Sequence, residues 1–315
     1  MPRDYLHAHK DFRDLIGIVA RDLSIDPALV EKDYWLMQGL YGLQQMGLSF
    51  ELKGGTSLSK GFGLISRFSE DIDIHIAPPT GFEVNVGRNH VKPAHVKSRQ
   101  DYYDYLAANI KIAGIAEISR DTDFDDTRQY RSGGIRLAYD SVTTEVAGLK
   151  QGILLEVGFD DIAPNVPRDI TSWAYDYAAP RVEIIDNRAK GVLCYQPGFT
   201  LVEKLQTIST KYRKEQETGD MPRNFMRHYY DVYSLLDDPD VQAFIGTNAY
   251  VAHKAKRFPA ADNQVIAENE AFRLSDLTTR AGYEKAYLST KALYYRAQPP
   301  FSDILAKIQA WSPKL

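Results

Sequence analysis

Apolar positions in the first fifty residues repeat at helical spacing. In DLSIDPALVEKDYWLMQGLYGLQQMG, Leu29, Trp35, Leu36, Leu40 and Leu43 fall on one face, which predicts helix through most of 5–48. Asp26-Pro27 supplies an N-cap and a proline at the first helical position, and Gly47 a stop. The period then changes to two. Leu48, Phe50 and Leu52 alternate with Ser49, Glu51 and Lys53, a strand broken by Gly54-Gly55. Thr56 is expected to cap a short helix over SLSKGFGLI, interrupted by Gly61 and Gly63. The next strand, DIDIHI over 71–76, turns Ile72, Ile74 and Ile76 one way and Asp71, Asp73 and His75 the other.

Residues 77–100 read as loop, made locally basic by Arg88, Lys92, Lys97 and Arg99, and a helix is expected over 99–116. GIRLAYD (134–140) and GILLEVGF (152–159) are strand candidates, with Leu154, Glu156 and Gly158 sharing a face. Residues 160–198 read as irregular apart from a short strand at VEII. From 199 the pattern is helical: Leu201, Leu205, Ile208 and Tyr212 line one face, and NFMRHYYDVYSLLDD forms a second helix. The simplest division is a mixed α/β lobe over 1–195 and a helical lobe over 196–315, an α+β protein.

Composition narrows the class. A chain of 315 residues with 44% hydrophobic and 25% charged content is an ordinary globular protein. Its single cysteine, Cys194, has no partner for a disulfide and no local base, which fits a reducing, cytoplasmic setting. No signal peptide or membrane span is expected. A net charge of −4 argues against a general nucleic-acid coat, though not against a local basic groove.

The chemistry concentrates in KGGTSLSKGFGLISRFSEDIDIHI, residues 53–76. A strand that ends in Gly-Gly and opens a helix lets backbone N–H groups approach an anion closely. Asp71 and Asp73 then lie on one strand face, where their mutual repulsion is relieved by a cation. Mg²⁺ suits such a pair, because it takes one or two carboxylates together with substrate phosphates. A phosphate cradle beside that pair is a phosphoryl- or nucleotidyl-transfer site.

Gly-Gly followed by Asp-x-Asp resembles the polymerase-β-type nucleotidyltransferase superfamily. The fuller string, GGTSLSK and then RFSEDIDI, is similar more narrowly to the AbiEii/AbiGii-type toxin nucleotidyltransferases of bacterial toxin–antitoxin and phage-defence systems. VEKDYWL (30–36), LVEKLQT (201–207) and RHYYDVYSL (227–235) resemble three further motifs of that family. The resemblance implies a nucleotidyltransferase lobe with a small mixed sheet, a helical lobe that completes the active-site cleft, an NTP substrate, Mg²⁺ (or Mn²⁺), the 3′ end of tRNA as acceptor, and a cognate antitoxin encoded nearby. Carried over by position, it implies that Gly54, Gly55, Thr56, Lys60 and Ser69 bind the nucleotide. Asp71 and Asp73 would hold the metal, with Glu156 as third carboxylate, and Lys204 and Asp231 would complete the catalytic set.

Plainer roles compete for the same residues. Asp71 and Asp73 would also fit a solvated sheet face. Lys204 would fit a snorkelling lysine beside Leu201 and Leu205, and Asp231 an i,i+4 pair with Arg227. His75 is read as a polar neighbour in the sheet, and Lys60 and Arg67 either touch phosphate or solubilise their loop. Basic residues at 204–227 (Lys204, Lys211, Arg213, Lys214, Arg223, Arg227), in the 88–99 loop and at Lys254, Lys256 and Arg257 interleave with Tyr102, Tyr103, Tyr212, Tyr229 and Tyr230. That combination suits a single-stranded nucleic-acid end. The alternatives are a protein or small-molecule acceptor, or an inactive module that binds nucleic acid or antitoxin. A P-loop hydrolase is disfavoured, because no GxxxxGK[ST] occurs.

Overall fold

The computed structural model describes residues 4–87, 89–144, 146, 149–160, 162–222 and 225–315. Its contacts divide the chain into two compact units. Unit 1 runs to Phe62 and resumes over Phe68–Tyr195; unit 2 is Gly63–Arg67 with Gln196–Leu315.

Unit 1 begins with α1 (Phe12–Leu23) and α2 (Pro27–Gln45). Asp26 caps α2 by accepting from the Ala28 N–H at 2.9 Å, and Pro27 occupies its first turn. The chain continues through β1 (Phe50–Lys53), a helical turn α3 (Gly54–Thr56) prolonged as a wider turn over Ser57–Gly61, and β2 (Asp71–Ile76). Then come α4 (Pro93–Asn109), β3 (Glu117–Asp121), β4 (Ser132–Ala138), β5 (Ile153–Gly158), β6 (Asn165–Ile170), α5 (Trp173–Ala178) and β7 (Ala189–Tyr195). The strands form one mixed sheet in the order β3-β4-β5-β2-β1-β7-β6. β2 runs parallel to β5 and β1 parallel to β7, and the other pairings are antiparallel.

Alternation sorts the sheet faces. Phe50, Leu52, Ile72, Ile74, Ile76, Ile135, Leu137, Leu155 and Val157 are buried on one face. There α2 crosses, its Gly39 meeting Leu137 and Ile72. The opposite face carries Lys53, Asp71, Asp73 and Glu156.

Several expectations are corrected. Thr56 is not an N-cap: the helical turn already begins at Gly54, after Lys53. α4 starts at Pro93, because proline suits a first turn, and it ends at Asn109. VEII is not a strand; the Arg181 and Val182 N–H groups turn back onto the Ala178 carbonyl after α5. The supposedly irregular stretch holds β6 and β7 as well. β6 tolerates Pro167 because it is an edge strand.

The helix α2 is buried on nearly every side, from Ala28 to Leu40 and at Gly42 and Leu43, so it is more than a one-faced amphipathic helix. It therefore takes Glu31, Lys32, Asp33 and Gln38 into the interior, and each has partners. The Glu31 carboxylate accepts from the Val142 N–H (2.9 Å), the Thr143 N–H (3.1 Å), the Thr143 hydroxyl (2.6 Å) and the Ser141 hydroxyl (2.8 Å). Lys32 donates to the Lys150 carbonyl and lies 3.5 Å from Glu70, and burial lowers its pKa to about 8. Asp33 accepts from the Trp173 N–H at 2.8 Å and pairs with the Lys60 ammonium at 2.7 Å. Gln38 bridges the Ala113 carbonyl and the Asn187 amide, at 2.9 and 2.7 Å.

Unit 2 is helical: α6 (Pro197–Thr218), α7 (Arg227–Leu235), α8 (Pro239–Phe244), α9 (Asn248–Arg257), α10 (Glu270–Arg273), α11 (Leu277–Leu288) and α12 (Phe301–Trp311). Leu201, Leu205 and Ile208 of α6 are buried, and Phe225, Tyr229, Tyr283 and Phe301 form an aromatic cluster. Among the described residues no helix is long and apolar enough to cross a membrane.

Replacing Glu31 by Ala would remove the shared acceptor of the Val142 and Thr143 N–H groups and of the Ser141 and Thr143 hydroxyls. Urea unfolding should show a loss of about 3 kcal/mol. An unchanged midpoint would mean that this turn is not held from α2.

Candidate active site

The register of unit 1 sets charged residues side by side. Lys53 of β1 stands opposite Asp73 of β2, and Asp73 stands opposite Glu156 of β5. Asp71 lies two residues before Asp73, on the same face. Burial, then the fields of Asp73 and Asp71, push the Glu156 carboxyl up to about 7, against the pull of Lys53 and Lys150. Three carboxylates on one face cannot all ionise cheaply without a cation. Existing cations meet part of that demand: Lys150 contacts Asp71 Oδ2 at 2.7 Å, and Lys53 contacts Asp160 at 2.8 Å. Asp71 Oδ1 is buried with no hydrogen-bond partner among the described residues.

The glycine turn is fitted to these carboxylates. Gly54 has φ +70°, and a Cβ there would collide with the Asp73 carboxylate. The Thr56 hydroxyl donates to the Asp71 carbonyl at 2.6 Å, tying the turn to the start of β2. What the turn offers an anion is therefore the backbone N–H groups of its first residues, which have no partner within the helix. Gly55, Thr56 and Ser69 are buried close by in sequence. Lys60 is placed differently from the expectation that it binds nucleotide: its ammonium is spent on the fully buried Asp33 and lies 5.1 Å from the Trp173 ring centroid. His75 is a polar neighbour, 3.1 Å from Glu51.

A divalent ion fits this donor set. Two carboxylates on one face, an orphaned oxygen on Asp71 and a third acid whose pKa is raised by burial and then by the other two are what hard oxygen coordination would relieve. Among the described residues, however, no three acidic, histidine or cysteine side chains form a ready cluster. Asp71 Oδ2 is held by Lys150, so substrate oxygens would have to complete any coordination shell.

Unit 2 holds a second charged group. Asp231 on α7 is fully buried. Its Oδ1 accepts from Arg67 Nε and its Oδ2 from Arg67 Nη2, each at 2.7 Å, and its Oδ2 lies 3.0 Å from the Lys204 ammonium. These cations hold its pKa below the usual carboxylate value, although burial opposes them. Asp231 thus pairs with Arg67 and Lys204, contacts that the plainer alternative of an i,i+4 pair with Arg227 did not include. Residues 65–67 are stitched in place by the Tyr230 hydroxyl, which accepts from the Ser66 N–H at 3.0 Å, and by Tyr295, which donates to the Ile65 carbonyl at 2.7 Å. His228 sits 3.4 Å from Lys204 and 3.3 Å from Lys211, and burial beside those cations pushes its pKa well down.

Part of the basic and aromatic signal for a nucleic-acid end goes into packing and ion pairs instead. Tyr102, Tyr103 and Tyr229 are fully buried, and Tyr230 nearly so, so they pack in the core and cannot stack an incoming base. Arg99 is buried too, while Lys97 pairs with Asp101 and Arg213 with Asp262 and Glu217. Arg88 and Arg223 lie outside the described residues. Cys194 is buried in β7, where burial pushes its thiol up to about 11.

Lys150 and Arg67 were the residues that sequence reasoning missed or left undecided. Only strand register and a long-range ion pair reveal their partners.

Comparison with known proteins adds a family. The model described as "Nucleotidyl transferase AbiEii toxin, Type IV TA system" matches residues 35–307. Among solved structures, an antigenic nucleotidyltransferase-like protein from Paracoccidioides brasiliensis is similar at 13% identity and a TM-score of 0.32, over 72% of this chain and 94% of that one. Comparison with curated proteins gives no match.

Two outcomes follow from this geometry. Arg67→Ala leaves Asp231 short of its bidentate partner, and thermal or denaturant unfolding should register about 3–5 kcal/mol of destabilisation. The Glu156 carboxyl, at about 7 when folded against 4.5 for an ordinary glutamate, keeps a proton that the unfolded chain has lost. Stability in chelator should therefore fall as pH rises through that window. Glu156→Gln should remove a fall of order 2 kcal/mol, read from urea midpoints at pH 5 and pH 8. A wild-type protein equally stable at both would refute it.

Proposed function

The chain belongs to the AbiEii nucleotidyl transferase toxin family of type IV toxin–antitoxin systems, and from that premise we propose that it moves a nucleoside monophosphate from an NTP to the 3′ hydroxyl of a tRNA. The observation that carries the reading is the row Lys53–Asp73–Glu156, with Asp71 beside it and a glycine turn fitted against Asp73. Asp71 and Asp73 would hold Mg²⁺, with Glu156 as the neighbouring third acid. Bound there, the ion would neutralise the triphosphate and the charge developing in the transfer.

The chain's own groups have separate tasks in this scheme. The first N–H groups of the turn at Gly54 and Gly55 bind phosphate oxygens, and the absence of side chains there allows close approach. Thr56 positions: its hydroxyl fixes the turn to β2. By family resemblance Lys204, which pairs with Asp231, would stabilise negative charge in the transition state. Ser69 remains a candidate for the nucleotide's surroundings, and Lys60 supports the fold through Asp33. The tRNA acceptor and a cognate antitoxin encoded nearby rest on family resemblance, as does a cytoplasmic site of action.

The test is transfer of label from each α-³²P-labelled NTP into total RNA in the presence of Mg²⁺. RNase-sensitive label at tRNA size is expected with the wild type. Asp71→Ala/Asp73→Ala should reduce it by at least about a thousandfold. Label in protein instead of RNA would move the acceptor, and full activity in the double variant would sink the site. Lys204→Ala should lower kcat by about 10²–10³-fold with a smaller effect on NTP binding.

A further inference from the structure

Lys150 precedes β5 and is anchored through its main chain. Its N–H donates to Glu70 Oε1 at 2.8 Å, and its carbonyl accepts from the ammonium of Lys32 on α2. Glu70 and Lys32 are themselves buried and paired. From that fixed point the side chain reaches past the Phe124 ring, 4.6 Å from its centroid, to Asp71 Oδ2 at 2.7 Å. The other oxygen of the same carboxylate, Oδ1, is buried and has no hydrogen-bond partner among the described residues. Lys150 also lines a cavity of about 570 Å³ with Arg136, Ser141, Thr143 and Gly152. Arg136 is held there by Asp121 and by the Gln151 carbonyl.

We propose that Lys150 is a resident counter-ion: it holds Asp71 Oδ2 until a divalent cation takes that carboxylate, and it then pairs with the triphosphate that accompanies the cation. The proposal rests on the nucleotidyl-transfer reading above and extends it. An ammonium and a divalent ion drawn to one carboxylate repel each other, so they cannot share it closely. A lysine is suited to yield, because its charge rides on a flexible four-carbon stem. Once it leaves Asp71, a triphosphate is the most highly charged anion it can meet. Metal alone must therefore displace Lys150 with no compensation, whereas metal with triphosphate gives the ammonium a new partner. The two ligands bind cooperatively, each raising the affinity for the other by the same factor.

The full chain tests this without any turnover. Free Mn²⁺ is followed by electron paramagnetic resonance in the absence of nucleotide. Binding of the Mn²⁺ complex of inorganic triphosphate is followed by calorimetry. Lys150→Met keeps the stem against Phe124 and removes the charge. It should bind Mn²⁺ alone about 5–10-fold more tightly and the triphosphate complex about 5–10-fold more weakly. Lys150→Arg, which keeps the charge, should follow the wild type in both measurements. An unchanged or weaker Mn²⁺ affinity in Lys150→Met, with its thermal midpoint preserved, overturns the proposal, as does a Lys150→Arg protein that behaves like Lys150→Met. A wild type that binds Mn²⁺ no better than Asp71→Ala/Asp73→Ala would instead overturn the metal-site reading beneath it, and this proposal with it.

Discussion

A charge removed from water has to be met by another charge or by several hydrogen bonds, and α2 takes three consecutive charges into the interior of unit 1. Each dictates where a distant stretch of chain must lie. Glu31 fixes the turn at 141–143, Lys32 fixes the main chain at Lys150 together with Glu70, and Asp33 fixes Lys60 and the start of α5. Two of those stretches border the carboxylate face: Glu70 immediately precedes β2, and Lys150 touches Asp71. The helix converts three desolvation costs into fixed positions for loops that would otherwise have little to hold them.

Two buried acidic settings show opposite solutions to one problem. Asp231 has three close cationic contacts from two residues and stays ionised, its pKa depressed. Glu156 stands opposite Asp73 in register and near Asp71, and burial followed by those two carboxylates raises its pKa. The first is electrostatically complete. The second is in deficit, and that contrast is why it is the candidate for taking up a cation.

The parts of this organisation legible in the sequence were those written in local period. The alternation of DIDIHI named its buried and polar faces correctly, and Asp26-Pro27 marked the start of α2. Edge strand β6 was not legible, because Pro167 and Arg168 interrupt any alternation where only one neighbour needs satisfying. Which tyrosines are core was not legible either: Tyr229 is one, its hydroxyl donating to the Ala271 carbonyl at 2.6 Å. Nor could residue spacing supply the Arg67–Asp231 pair, whose members are 164 positions apart. At the candidate site, Asp71 and Asp73 were readable from the strand period and Gly54 from the break after β1, whereas Glu156 joined them only through the family resemblance. Lys150 lies outside any periodic element and acquires its meaning from a neighbour 79 residues away.

The five residues Gly63–Arg67 give unit 2 an unusual dependence. The chain passes between the units at 62/63, at 67/68 and again at 195/196. A contiguous piece comprising 196–315 would therefore contain Asp231 in its buried setting without the guanidinium that neutralises it. During synthesis Arg67 leaves the ribosome long before its partner, so α7 has no complete ionic environment until both have emerged. Unit 2 is in this sense a module of space and not of sequence, and no single cut releases it whole.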